Sequence, residues 1–549
     1  MKAFLFILLL VLPGAAEDSA PAVNRLLDSI VERESALIAA LQSRAPIVET
    51  YIQETPEAAT EDAHPVKDHY FLGQITIGSS IEYMPLIERT DAAMKSNAFW
   101  LPFRPPVKNQ PMAFMPRGFA QMAFPDLHEF NRQTYAFEFV RREFLGEIRC
   151  LVFDVMPLKS EPGRFVGRVW VEDLGNSIVR FNGTYSSAAP SRRAPPERYF
   201  QFDSWRVNVS EDPSGQGRAR QEQWVPSQIY VEEQGSSVNG RTAVPRFKAQ
   251  TRIWGYAAAG SSNRFDELTQ VLIEPAPDVQ DHAGGKDLSP LESQRVWERQ
   301  AEENVMARLE KSGLLAPPGP VDDVLNTVLN NLIISANLNV EAHCRVLLTT
   351  PIETFSVGHT IIISRGLMDV LPDETSLALV LADELSHIAL GHRTPTQFAF
   401  RNQTMLTDAE VLQRLHFERS ATELESSGKK TIEIMRASPY QKAANAGLFL
   451  KALSSRSGML PRLLTANIGN QLANSEALAR LAEFTGSTPE LQESELGQIA
   501  ALPLGSRIKL DPWRDQITLV KTRPLELLSP REKMPFEITP FMLYLTRLP

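Results

Sequence analysis

The segment Leu377 to Arg393 reads LALVLADELSHIALGHR, and Asp383, Glu384 and His387 within it are side chains of the kinds that hold and use a metal ion. Asp383 and His387 stand four positions apart, so on a helix they project from one face, one turn apart, with Glu384 beside the first. A zinc hydrolase uses this spacing: two ligands grip the ion while the neighbouring glutamate takes a proton from metal-bound water. Here the first ligand is a carboxylate. An aspartate differs from an imidazole in reach and charge, which alters both metal affinity and the acidity of the bound water. Asp373 suits the N-cap of such a helix and Gly391 its stop.

The surrounding text, from about Asp322 to Leu453, resembles peptidase family M48, the gluzincin endopeptidases that include HtpX, the CAAX prenyl endopeptidases and BepA-type proteases. In that resemblance Glu384 matches the general base, His387 the second zinc ligand, and Asp383 stands where the first histidine would be. His392 matches a histidine that is not a ligand. The stretch TFSVGHTIIISRGLMDVL, Thr354 to Leu371, resembles the family's edge strand. It implies that Phe355, Ser356, Val357, Gly358 and His359 hold an extended polypeptide by strand addition. His359 stands near a family glycine and reads from its surroundings as a histidine on the strand surface. The third zinc ligand implied is a glutamate on a later helix, in the pattern E-x-x-A-D. In ATELESSGKKTIEIMRASPY, Ala421 to Tyr440, one register places that ligand at Glu423 and the Asp at Ser427. A shift by one places them at Leu424 and Gly428, which would lose the ligand, and both registers remain open.

The elements that must carry these residues follow from patterning. VNRLLDSIVERESALIAAL opens the chain's globular text with a helical stripe at Leu26, Leu27, Ile30, Val31, Leu37, Ile38 and Leu41, ending before Pro46. From Tyr70 to Pro275 short runs rich in β-branched and aromatic residues alternate with Gly, Pro, Asn and Ser clusters, the text of an antiparallel sheet. Pro275 to Pro290 reads as a linker. Beyond it the period turns helical, interrupted by the strand text CRVLLTTP and HTIIISRG, and from Ile508 strand and turn text returns. The expected fold class is α+β and multidomain: an amino-terminal antiparallel β half-barrel with a helix, then a mainly helical, zincin-like metallopeptidase domain with a small sheet. The expected boundaries are 1–22 for a signal peptide, 23–275 for the helix and sheet, 276–293 for the linker, 294–485 for the peptidase-like domain and 486–549 for a carboxy-terminal extension. The phrase GRFVGRVWVEDLGNSIVRFNGTY and its setting resemble the half-barrels of the LolA, LolB and RseB group, which implies a lipid or lipoprotein partner at that sheet.

Composition narrows the function classes. The 549 residues are 43% hydrophobic and 22% charged, the profile of a globular chain of two to four domains at roughly 150 residues each. A balance of 56 basic against 66 acidic residues, with no basic run, excludes the footprint of nucleic-acid binding. Lys2 followed by the apolar run Ala3 to Leu12 and small residues at Gly14 and Ala16 reads as an export signal, too short for the roughly 20 apolar residues that span a bilayer. The expected localisation is periplasmic or secreted. Cys150 and Cys344 are open to two readings, a bridge between domains or two separate buried thiols. Three functions follow: an exported zinc endopeptidase acting on polypeptide substrates, a pseudopeptidase that binds client proteins or lipidated partners, and a scaffold.

Overall fold

A computed structural model describes residues 19–55, 67–90, 114–256 with short gaps, 290–392, 411–456 with short gaps, and the pieces 469–471, 490, 508–512 and 514–519. The expected export signal up to residue 18 and the linker up to residue 289 lie outside the described residues. Among the described residues no helix is long and apolar enough to cross a membrane. The chain forms two compact units, one of residues 1–41 with 122–226, the other of residues 42–121 with 227–549.

The first unit pairs helix α1 (Ser19–Leu41) with an antiparallel meander. Leu27, Ile30, Leu37, Ile38 and Leu41 are buried at the 3–4 spacing that gives a helix one apolar face. Glu34 lies on that same face. It is buried because Arg206 meets it in a two-pronged bond of 2.6 and 2.7 Å, and an ion pair removed from water needs such geometry to persist. The meander runs through β4 (Tyr135–Leu145), β5 (Ile148–Pro157), β6 (Phe165–Glu172), β7 (Ile178–Tyr185) and β8 (Phe202–Glu211), neighbours in space as in sequence. Phe165, Phe181 and Phe202 pack edge to face or tilted in its core. Arg180 lies between the rings of Trp170 and Trp205, 4.4 Å from each, and is held there by both oxygens of Asp203.

The second unit contains β1 (Ile47–Thr55), β2 (Lys67–Ile77), β3 (Ile81–Thr90), α2 (Pro116–Gln121), β9 (Gln221–Glu233) in its later half, the hairpin β10 (Ser236–Val238) and β11 (Arg241–Val244), and β12 (Arg246–Trp254). Its sheet order is β3-β2-β1-β12-β9. β1 begins directly after Pro46, earlier than the sheet text beginning at Tyr70, because IVETYIQET buries polar Glu49 and Gln53 as well as its apolar residues and so shows no clean alternation.

The same unit continues with α3 (Pro290–Lys311), α4 (Pro320–Ser335), β13 (His343–Leu347), β14 (Glu353–Val357), β15 (Thr360–Ser364), α5 (Arg365–Val370), α6 (Glu374–Ala389), α7 (Ala421–Ala437), α8 (Asn445–Arg456), the two-residue β16 (Asn470–Gln471), and a hairpin of β17 (Ile508–Asp511) and β18 (Gln516–Leu519). The small sheet is ordered β13-β15-β14-β16, parallel between β13 and β15 and antiparallel elsewhere. One hydrophobic core joins Ile47, Tyr70, Leu72 and Trp254 to Leu325, Leu379 and Ile362, so strands from the amino-terminal text and the helical region fold as a single body. Glu49 fastens the two across that core. It accepts bonds from the Thr350 backbone N–H at 2.7 Å, the Thr350 hydroxyl at 2.9 Å and the Tyr70 hydroxyl at 2.8 Å. Cys150 and Cys344 are both free and buried.

Candidate active site

Helix α6 starts where its sequence says. The Asp373 carboxylate accepts the Ser376 N–H at 2.9 Å, and the helix ends at Gly391, whose φ of +68° suits a residue without a Cβ. Every residue from Ser376 to His387 is buried. Asp383, Glu384 and His387 expose 3%, 0% and 0% of their surface, so their charges and lone pairs must be met by protein groups.

Those groups come from β14, the loop after α6 and α7. The Thr354 hydroxyl donates to Glu384 Oε1 at 2.6 Å. The Thr431 hydroxyl lies 3.2 Å from Asp383 Oδ1, 3.3 Å from Ser386 Oγ and 2.8 Å from the Ser427 carbonyl, and its single proton serves one of these at a time. Ser386 donates its own proton to the Asp383 carbonyl at 2.6 Å.

His387 and His392 meet Nδ1 to Nδ1 at 2.7 Å, which requires one of the two nitrogens to carry a proton. The neighbours decide which. Ser426 Oγ donates to the Glu423 or Thr422 carbonyl at 3.0 or 3.1 Å, so toward His392 Nε2, 3.3 Å away, it acts as acceptor. His392 then carries its proton on Nε2 and accepts at Nδ1 from His387. What remains is a bare lone pair on His387 Nε2, buried and, among the described residues, without a hydrogen-bond partner. Both imidazoles sit below their ordinary pKa range, in each case chiefly through burial. For His387 the nearby Glu384 and Asp383 pull upward, and Arg419 and His392 add to the lowering.

A bare, buried imidazole nitrogen is what a metal ligand looks like before loading, but the rest of the donor set does not fit zinc. Glu423 occupies the third position of α7, where its Oε2 accepts from the Ser420 N–H at 3.0 Å and the Ser420 hydroxyl at 2.8 Å in a capping box. Burial raises its carboxyl pKa, but the Ser420 bonds with Arg419 and His392 outweigh that, and the group ends below its usual value. Among the described residues no three His, Cys, Asp or Glu side chains are arranged to hold a metal ion. A catalytic zinc takes three protein ligands.

Of the expected peptide-holding residues, Phe355, Ser356 and Val357 lie in β14 and are buried. Gly358 and His359 are not in the strand. They form the turn between β14 and β15, Gly358 with φ of +57°, and exposed His359 is anchored by Nδ1 at 2.7 Å from the Glu341 carbonyl. Thr354, Thr431, Ser426, Phe417 and Arg419 also build the site, and sequence reasoning missed them. Each is a single residue of a common type, brought in from 30 to 48 positions away in the hydrogen bonds that Thr354 and Thr431 make.

Helix α6 thus carries Asp383, Glu384 and His387 beside the four-stranded small sheet and a second helix, α7. Residues 322–458 match the family described as Peptidase family M48. No curated protein matches the chain. Among solved structures, the chain is similar to a LolA superfamily protein from Nitrosomonas europaea at 12% identity, covering 41% of this chain and 90% of that one with a TM-score of 0.19. It is also similar to a chain of the Pseudomonas aeruginosa MucA/MucB complex at 8% identity, covering 41% of this chain and 93% of that one with a TM-score of 0.13.

Proposed function

We propose that this is an exported protein of the cell envelope that uses a peptidase scaffold to bind polypeptide chains and does not hydrolyse them through zinc. The observation that carries the reading is the capping box: the later carboxylate placed by sequence as third ligand has its Oε2 turned to Ser420, and among the described residues no three such side chains complete a donor set at His387 Nε2. Two further contacts agree with it. Glu384, the residue in the position of a general base, has one of its two oxygens, Oε1, engaged by Thr354, and the side chain exposes none of its surface. Asp383 faces a hydroxyl on α7. The buried centre thus reads as a hydrogen-bonded core. Export rests on the Lys2 to Ala16 text.

The bare His387 Nε2 favours the competing reading of a working metallopeptidase, so the test addresses both. Metal content by mass spectrometry, casein cleavage and casein binding are measured on the full chain, with Asp383→His and Glu384→Gln alongside. The expected result is a metal-free wild type that binds unfolded casein without cutting it. Stoichiometric zinc with cleavage abolished by Glu384→Gln would overturn the reading, and absence of casein binding would favour a scaffold.

A further inference from the structure

Asp515 stands in the turn between β17 and β18 with φ of +55°, a left-handed backbone that aspartate and asparagine tolerate better than other residues bearing a side chain. The turn is tied to the end of β12. Asp515 Oδ1 accepts the Gly255 N–H at 2.8 Å, and the Pro512 carbonyl accepts the Tyr256 N–H at 3.2 Å. The Tyr256 carbonyl is held in turn by Arg44 at 3.0 Å. Two positions after Asp515, Ile517 is buried in the core to which α4 belongs. Its carbonyl lies so close to Gly319, the N-cap of α4, that a Cβ there would meet it at 3.4 Å. The hairpin therefore clasps the end of β12 to the start of α4.

This clasp holds a carboxyl group where a charge is unwelcome. Asp515 exposes 9% of its surface, and among the described residues it has one hydrogen bond and no ion pair. The charged and titratable groups on the elements around it offer no compensation. On its own hairpin Asp511 is a like charge, and Lys509 and Arg514 are exposed. At the end of β12 stands Tyr256, whose carbonyl engages Arg44, and α4 brings two more acids, Asp322 and Asp323, in its first turn. A buried charge without a partner is costly, so the closed clasp favours the neutral acid. Burial pushes the carboxyl up to about 7 against the pull of the Gly255 bond, with Asp511 adding to the rise. We propose that the β17–β18 hairpin is a pH-sensitive clasp, which grips the end of β12 while Asp515 carries its proton and loosens as the proton leaves. In the open hairpin Asp515 meets water and returns to the ordinary aspartate value of about 4. The closed form binds the proton more tightly than the open one, so the grip is strongest below about pH 4. It weakens about tenfold for each pH unit up to 7 and changes no further once both forms are ionised. Opening frees the Gly255 and Tyr256 N–H groups and uncovers Ile517 while the helices stay folded.

Hydrogen exchange of the full chain tests this, read by mass spectrometry from pH 5 to 8 as protection relative to the intrinsic rate at each pH. In wild type the protection of peptides covering residues 254–256 and 508–519 should fall about 100-fold from pH 5 to 7 and level off above that. At every pH these peptides should be less protected than the middle of α6, because the hairpin opens without the unit unfolding. In Asp515→Asn, which keeps the acceptor and suits the same backbone, their protection should not change with pH. A flat wild-type profile, or the same fall in the asparagine variant, would overturn the proposal. Protection equal to that of α6 would overturn it too, since the hairpin would then open only with the whole unit. If Asp515→Asn does not fold, Asp511→Asn takes its place: with the like charge gone the fall should level off at a lower pH, and a profile identical to that of wild type would overturn the proposal.

Discussion

Replacing Thr354 by valine tests whether Glu384 has become a structural carboxylate. Valine keeps the shape of threonine and suits a strand, so the change in β14 is confined to the lost hydroxyl. That hydroxyl donates at 2.6 Å to a carboxylate that exposes none of its surface. A hydrogen bond to a charged group contributes about 1.5–3 kcal/mol, and water cannot reach this oxygen to replace it, so Thr354→Val should destabilise the second unit by ~2 kcal/mol. The assay is urea unfolding followed by circular dichroism, run as a double-mutant cycle with Glu384→Gln. In the glutamine variant the bond becomes one between neutral groups, so the valine substitution should cost less there, with a coupling of about 1 kcal/mol. A loss below ~0.5 kcal/mol with no coupling would refute the reasoning: Thr354 would then hold no stabilising bond, and Glu384 would be free to serve water as a base does.

Asp515 offers a prediction in pH. It sits buried in the β17–β18 turn with φ of +55°, accepts the Gly255 N–H at 2.8 Å, and burial pushes its carboxyl up to about 7, with Asp511 adding to the rise. Because the folded value lies above the unfolded one, its contribution is fully present below about pH 4 and is lost as pH rises through 7. Asp515→Asn keeps the acceptor and suits the left-handed backbone, so its unfolding free energy should gain on wild type from pH 5 to 7 and level off above that, by up to ~2.7 kcal/mol at ~1.4 kcal/mol per pH unit; a constant difference would contradict this. In the first unit, Arg206→Met leaves Glu34 buried without its partner and should cost about 3–5 kcal/mol in denaturant unfolding, while Glu34→Leu/Arg206→Met should recover most of it. A single variant as stable as wild type would mean that the pair is solvated.

Much of the site's framework was legible in the sequence. The Asp373 cap, the Gly391 stop and the burial of the intervening helix follow from local chemistry that acts within four residues, and the structure has all three. The helix at Ala421 was readable too, because its capping box is written in Ser420 and Glu423. That same box explains why Glu423 is hard to assign from text: a glutamate three residues after a serine serves a helix end as naturally as a metal. The turn at Gly358 and His359 was obscured by the β-rich residues on either side, though a glycine between two such runs is the usual mark of a hairpin. Arg419 and Phe417 carried no local signal, since their roles depend on β14, more than sixty positions earlier, and no periodicity links them to it.

Glu49 has a consequence for how this chain could have been assembled or could be taken apart. Its three bonds lock a strand from near the start of the chain to Thr350, inside the stretch that matches the peptidase family, and Trp254 adds a bond from its indole N–H to the Gly313 carbonyl at 3.1 Å. Cutting out residues 322–458 would strip the Thr350 N–H of its acceptor and bare the apolar face that Ile47, Tyr70 and Leu72 cover. The family-like segment is therefore not a portable module. It is one part of a body whose other part comes from the opposite end of the sequence, so insertion, loss or exchange of either part must be matched in the other.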